Sequence, residues 1–375
     1  MLREFKPVKA AVIGCGAISR NYFNNITKKF RILEIVGCSD IIPERSAERA
    51  REYNVAQMTN EEIWADPNIE LVINLTYPTA HYDVTMASLR AGKHVYSEKM
   101  IATDFALGEE IMQYADEHGL YVGCAPDTFL GGGLQAARFA LDSGVIGEPV
   151  AANITLARCY RHDRFTDKTD RMFVYHRGAG ILQDVGVYYL TALVNLLGPA
   201  KAVCGFSQRR HVEDRLYANP SNPGYGKPMI NESDNNTAGA IELSCGALCP
   251  ILTTTEAASF THHFEIFGSD GTLMLNDPNE FTGNVTVKGK NGAEYPVPIN
   301  YAYLDENRGL GTADMAYAIR SGRPPRASGR TALHVLEIAH GILYENGIYK
   351  LKTTTERALP FAPGYIEYPE MVMNI

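Results

Sequence analysis

The sequence predicts an α/β protein whose N-terminal part is a parallel sheet wrapped by helices, followed by an α+β part with a large, mostly antiparallel open sheet. Two observations carry this. Up to about residue 125, short apolar runs alternate with helical patterns, as in successive βαβ units. From about 202 to 300, runs rich in β-branched and aromatic residues follow one another with turn residues between them.

Val8–Ile13 (VKAAVI) reads as a buried strand, followed by a glycine turn and a helix from about Ala17. Ile32–Ser39 is a second strand, and Pro43 opens a helix whose charges fit a solvated face. Thr59 and Glu62 have the spacing of a capping box. Leu71–Thr76 is a strand, with a helix from about Tyr82 to Arg90 stopped by Gly92. His94–Ser97 is a short strand, Asp104 is placed to cap the next helix, Gly119 ends it, and Tyr121–Cys124 closes the series. Helices are expected at Leu134–Leu141 and Ile181–Leu197, and strands in AVCGFSQ, TAGAIELSC, ILTTTEAAS, FEIFGS, GTLMLN and NVTVKG. Two last helices, 309–320 and 331–345, flank RSGRPPRASGR, which reads as a solvated connector with no nucleic-acid role.

Composition limits the function. Of 375 residues, 45% are hydrophobic and 21% charged, as in ordinary globular proteins, and the net charge of −8 argues against sequence-independent nucleic-acid binding. No apolar window is long enough to span a membrane, and the first residues lack a signal peptide's apolar stretch, so a cytoplasmic protein is expected. Seven cysteines with no CxxC pair read as reduced thiols, and no His/Cys grouping has metal-ligand spacing, so no metal is expected.

Gly14-Cys15-Gly16-Ala17-Ile18 lies between strand and helix. The first glycine permits the tight turn, and the second lets backbone approach a pyrophosphate at the helix N-terminus. Ser19 stands where a third glycine is usual. Asp40 ends the second strand, where a carboxylate accepts hydrogen bonds from ribose hydroxyls and repels a 2′-phosphate; Ile41 and Ile42 bring no cation. The pattern predicts a Rossmann dinucleotide-binding domain over 1–125, with NAD preferred to NADP, and a substrate-binding and oligomerisation domain over 126–375.

Three further segments follow in order: Thr76-Tyr77-Pro78-Thr79-Ala80-His81, AGKHVYSEKM (91–100) and GAGILQDVGVYYL (178–190). With them the chain resembles the glucose-fructose oxidoreductase / inositol dehydrogenase (Gfo/Idh/MocA) family, whose pattern is T-x-P-x-x-x-H, A-G-K-H-V-x-x-E-K-P and G-G-G-x-L-x-D-x-G-x-[HY]. The resemblance implies oxidation of a secondary alcohol of a sugar, glycoside or cyclitol, or its reverse. Thr76, Tyr77, Pro78, His81, Glu98 and Lys99 would lie along the cofactor, and Lys99, Asp184 and Tyr188 match the family's catalytic positions. It also implies dimers or tetramers formed through the open sheet. Met100 replaces the motif's proline, Gly178-Ala179-Gly180 has one glycine fewer, and Cys124–Phe129 lacks the Asn and Arg usual there.

Chemistry gives these residues work. A phenol of ordinary pKa near 10 is a poor base unless an ammonium stabilises its phenolate. Lys99 is a candidate for that ammonium, and Asp184 for orienting the sugar or the lysine. Asp127, Tyr160, His162, Tyr175 and His176, with Asp184, are substrate-contact candidates. The same residues fit two other readings: a glycoside-cleaving enzyme that oxidises, eliminates and re-reduces with no net NAD turnover, and a sensor that binds cofactor and sugar without chemistry.

Overall fold

The computed structural model describes residues 5–159, 171–221 and 224–361. A six-stranded parallel sheet comes first, made of β1 (Val8–Ile13), β2 (Leu33–Ser39), β3 (Ala56–Gln57), β4 (Leu71–Asn74), β5 (His94–Ser97) and β6 (Val122–Cys124) in the order β3-β2-β1-β4-β5-β6. Its helices are α1 (Ser19–Lys29), α2 (Pro43–Tyr53), α3 (Asn60–Ala65), α4 (Pro78–Arg90) and α5 (Phe105–Glu117). β1 is apolar because helices cover both faces of the sheet, and Val8 and Ala10–Val12 have no exposed surface. The order reverses between β1 and β4, so the crevice beyond their C-terminal ends is the binding position of this fold.

Local signals set most boundaries. The Thr59–Glu62 capping box forms as expected at α3. Asp104 precedes α5, but its side chain makes no capping bond. α4 starts at Pro78, earlier than the apolar periodicity suggests, because proline's fixed φ suits the first helical position where no amide is needed. Thr76 and Tyr77 therefore sit at the strand–helix junction.

The second sheet has nine strands: β7 (Pro149–Cys159), β8 (Ala200–Gln208), β11 (Asn236–Leu243), β12 (Leu248–Thr254), β13 (Glu256–Gly268), β14 (Gly271–Leu275), β15 (Thr286–Gly289), β16 (Glu294–Pro296) and β17 (Tyr349–Lys350). A small separate hairpin, β9 (Arg215–Leu216) and β10 (Pro228–Met229), lies between β8 and β11. The order is β16-β15-β14-β13-β7-β12-β11-β8-β17, and every pairing is antiparallel except β7 with β12.

Among the described residues, four α-helices follow β6: α6 (Gly132–Asp142), α7 (Val187–Leu197), α8 (Leu310–Ser321), which packs on β6 and α1, and α9 (Gly329–Tyr344). α9 packs on β8 and β11, and α6 on β14. The opposite face lies open: Phe206, Ala238 and Leu252 face one another across β8, β11 and β12, and Phe206 is 85% exposed. α7 is preceded by a single π-helical turn, Leu182–Gly186, so the helix expected from Ile181 is wider at its start.

The basic stretch 320–330 is not a solvated connector. Arg323 and Arg326 both reach the fully buried carboxylate of Asp314, at 2.6 and 2.7 Å. Arg320 pairs with Glu70 and donates to the carbonyls of Lys6 and Pro7. Ala327 accepts from the Cys124 amide and Ser328 bridges to Gly123, so the stretch stitches the C-terminal helices to β6. A burst of arginines signals solvent only when no buried acid awaits it, and Asp314 in the apolar α8 is that acid.

Candidate functional site

The turn after β1 has the geometry a dinucleotide requires. Gly14 has φ +102°, and a Cβ there would lie 2.6 Å from the Leu75 carbonyl, so only glycine fits. A Cβ on Gly16 would meet nothing within 4 Å, which leaves open space over the backbone at the start of α1. Ser19, in place of the third glycine, is buried; its hydroxyl donates to the Gly16 carbonyl at 2.7 Å and accepts from Arg49. The Asp40 carboxylate is fixed at the end of β2 by the amides of Cys15 (2.6 Å) and Ile42 (2.8 Å). Gly14–Ile18 could hold the pyrophosphate of a dinucleotide, and the Asp40 carboxylate could accept hydrogen bonds from its adenosine ribose.

Thr76 is held by Asn74, whose side-chain oxygen accepts from its hydroxyl (2.6 Å) and amide. His81 is fully buried, with Nδ1 2.6 Å from the Met100 carbonyl and Nε2 3.0 Å from the Thr76 carbonyl. Its ring thus ties the T-x-P turn to the E-K-M segment rather than facing the crevice, and burial lowers its pKa. The ring of Tyr77 is 43% exposed and lies 5.6 Å from that of Phe173. Glu98 accepts from the Tyr22 hydroxyl at 2.8 Å and from the Lys99 amide at 3.1 Å.

Lys99 leaves the end of β5 and meets the π-helical turn. Its Nζ donates to the carboxylate of Asp184 at 2.6 Å and to the Asp184 carbonyl at 2.7 Å. Nζ lies 5.5 Å from the centroid of the Tyr188 ring. Burial works against the ammonium, but Asp184, Tyr188 and Glu98 outweigh it and raise its pKa, so Lys99 stays charged. For Tyr188 burial is the larger influence and raises the phenol above its ordinary value, although Lys99 and Arg308 oppose it. Asp184 thus holds the Lys99 ammonium beside the Tyr188 ring, and burial favours the protonated phenol. Arg308, which nothing in the sequence singled out, adds a second positive charge that favours the Tyr188 phenolate.

The remaining predicted contacts do not all converge. Asp127 is buried, and its Oδ2 accepts from the amides of Gly309 (3.0 Å) and Gly311 (2.9 Å), so that oxygen serves the start of α8. Burial pushes its pKa up to about 6. Tyr175 is buried beside Val174 and Met229, whereas His176 is half-exposed, 3.4 Å from Glu232. Tyr160 and His162 lie outside the described residues. Among the described residues no group of three or more His, Cys, Asp or Glu is arranged to hold a metal, and no helix is long and apolar enough to cross a membrane.

Residues 8–125 match the model of an oxidoreductase family with an NAD-binding Rossmann fold, and residues 134–274 match the C-terminal domain of the same Gfo/Idh/MocA family. This chain belongs to the Gfo/Idh/MocA family. It is an NAD(P)-dependent oxidoreductase. Among its relatives in the family, a 1,5-anhydro-D-fructose reductase of Ensifer adhaerens is 26% identical over 304 residues, covering 79% of this chain and 84% of that protein. A scyllo-inositol 2-dehydrogenase (NAD(+)) of Bacillus subtilis is 22% identical over 339 residues, covering 88% and 92%. Levoglucosan dehydrogenase in its apo form shares the fold with a TM-score of 0.79 at 18% identity, covering 94% of this chain and all of that one.

Proposed function

We propose that this Gfo/Idh/MocA protein interconverts a secondary hydroxyl of a sugar, glycoside or cyclitol with the corresponding carbonyl, using NAD in preference to NADP. The observation that carries the reading is the convergence of Lys99, Asp184 and Tyr188 beside the crevice of the parallel sheet. Relatives named for anhydrofructose, inositol and levoglucosan chemistry support the substrate class.

Bound nicotinamide supplies the hydride acceptor or donor; everything else is asked of the protein. In the oxidation direction Tyr188 first releases its phenol proton to water, and the phenolate oxygen then accepts the substrate hydroxyl's proton as the carbinol C–H bond breaks. In reduction the Tyr188 phenol, protonated at rest, returns that proton to the developing alkoxide. Lys99 adds positive charge next to that oxygen, and Asp184 holds the ammonium in place through two contacts. Asp40 underlies the NAD preference, since a 2′-phosphate would meet its carboxylate.

An absorbance screen at 340 nm, pairing NAD and NADP with sugars, glycosides and inositols, tests the proposal. A rise with one class and with NAD is the expected result. A product change without net NADH would replace it with the closed redox cycle, and no turnover at all with a sensor.

We also propose a division of labour between residues 1–125, which hold the dinucleotide, and 126–375, which take the substrate and self-associate as a dimer or tetramer. The open face of the nine-stranded sheet supports this, since an apolar row containing Phe206 and Leu252 is unfavourable in water. Phe206→Lys with Leu252→Lys is expected to reduce the mass measured by light scattering to that of one chain, with the circular dichroism unchanged. A wild type that is already monomeric would overturn self-association.

A further inference from the structure

We infer that Phe173, backed by Tyr77, is the aromatic wall on which a ring-shaped substrate rests its C–H face, a specificity role that rests on the proposed sugar, glycoside or cyclitol substrate. The two rings meet across the halves of the molecule. Tyr77 follows β4 in the dinucleotide half, and Phe173 belongs to the short helical turn Arg171–Tyr175 in the second half. Their centroids are 5.6 Å apart and their planes are tilted by 36°, so the rings overlap only in part and Tyr77 stays 43% exposed.

The pair lies beside Lys99. Asn74 and Ser97 are register partners at the ends of β4 and β5, and Tyr77 and Lys99 leave the sheet just beyond them. The His81 imidazole spans the Thr76 and Met100 carbonyls, at 3.0 and 2.6 Å, which holds the two exits one ring apart. From Phe173 the chain runs along the same edge. Gly178 lies against Thr103, where a Cβ would come within 2.7 Å of the Thr103 Cβ, and Asp184 then receives Lys99. The segment from Phe173 to Asp184 therefore bounds the crevice, with the aromatic pair at one end and the ammonium at the other.

The turn that carries Phe173 is firmly held. The Phe173 carbonyl accepts from the His176 amide at 3.0 Å, the Val174 carbonyl from the Ser233 hydroxyl at 2.8 Å, and the Tyr175 carbonyl from the Glu232 amide at 2.7 Å. Val174 and Tyr175 are buried with Met229, and Phe173 packs on that cluster while remaining only half-buried.

A saturated ring is the chemistry that fits such a wall. A pyranose or cyclohexane carries C–H bonds on its face and hydroxyls around its rim. The face suits an aromatic surface, and the rim hydroxyls are left for Lys99, Asp184 and Tyr188. An open-chain polyol has the same hydroxyls but no fixed C–H face.

The test is calorimetric binding to the full chain loaded with NADH, which leaves an alcohol no hydride acceptor, so affinity is read without turnover. The ligands are methyl glucopyranoside, methyl galactopyranoside, myo-inositol and scyllo-inositol, each set against open-chain sorbitol. For at least one ring ligand the dissociation constant is expected to rise about fivefold or more in Phe173→Leu and to stay near wild type in Phe173→Tyr, while sorbitol and NADH affinities change less than about twofold. Phe173→Leu keeps an apolar side chain on the Val174–Tyr175–Met229 cluster, and unchanged circular dichroism and NADH affinity show that the turn still forms. Tyr77→Leu is expected to shift the ring ligands in the same direction.

Unchanged ring affinity in Phe173→Leu, or equal losses for ring ligands and sorbitol, overturns the inference. So does a weaker NADH complex in Phe173→Leu, which assigns the ring to the cofactor. A loss in Phe173→Leu that Tyr77→Leu does not share removes Tyr77 from the wall. A wild type that binds none of the ring ligands overturns the inference and the proposed substrate class together. If binding depends on Phe173 as expected but none of these ligands is turned over, the wall stands and the proposed reaction on them falls.

Discussion

Tyr188→Phe is expected to lower kcat by about 10²- to 10⁴-fold, the usual cost of losing a general acid or base, while the affinity for NAD stays within a few-fold of wild type. The substitution keeps the ring and its packing in α7 and removes one oxygen. That oxygen lies in the field of Lys99 and Arg308, with the Lys99 Nζ 5.5 Å from the ring centroid. Since Tyr188 is buried and its phenol raised, the chain invests desolvation in keeping this hydroxyl protonated at rest. Pre-steady-state NADH absorbance separates the chemical step from cofactor release and reads the loss directly. Turnover within tenfold of wild type would transfer the proton to Lys99, the other charged donor beside the ring. Comparing Tyr188→Phe with Lys99→Met distinguishes the two, because the second also strips Asp184 of its ion pair.

How far this site could be read from sequence depends on how local each signal is. Strand, G-x-G turn, helix and Asp40 are neighbours along the chain, so periodicity and glycine placement reveal them, and Gly14 shows why: its φ and its closeness to Leu75 admit no side chain. Lys99 and Asp184 were legible only as motif positions. Their 2.6 Å contact joins β5 to a π-helical turn, which no spacing rule for a regular helix anticipates. Arg308 was invisible because its contacts, with α1 and Asn279, and its electrostatic pull on Tyr188 all join positions distant in sequence. His81 was expected along the cofactor and Asp127 at the substrate, yet the contacts they make are to backbone groups: His81 to two carbonyls and Asp127 to two amides. Composition cannot tell such internal anchors from ligand contacts, since burial and hydrogen bonding look alike in both.

Asp314→Ala is expected to destabilise the protein by about 3 to 5 kcal/mol, the range for breaking a buried ion pair by removing one partner. The carboxylate has no exposed surface and accepts from Arg323, from the Arg326 side chain and from the Arg326 amide at 2.6 Å. Arg326 is itself buried, donates to the Leu359 carbonyl and lies over the Phe361 ring at 4.7 Å, so two guanidiniums lose one shared anion in surroundings that hydrate them poorly. Denaturant unfolding monitored by fluorescence and circular dichroism measures the loss. A coupled variant sharpens the argument. If the cost is mainly stranded charge, Asp314→Leu combined with Arg326→Met should recover much of it, because apolar replacements of similar volume often equal a buried pair. If it recovers nothing, the geometry of the pair matters more than its charge, through the stitch that runs from Arg326 to Ala327 and the Cys124 amide of β6. A loss below about 1 kcal/mol, no more than an exposed pair typically contributes, would mean that the connector finds other partners and that β6 does not depend on this carboxylate.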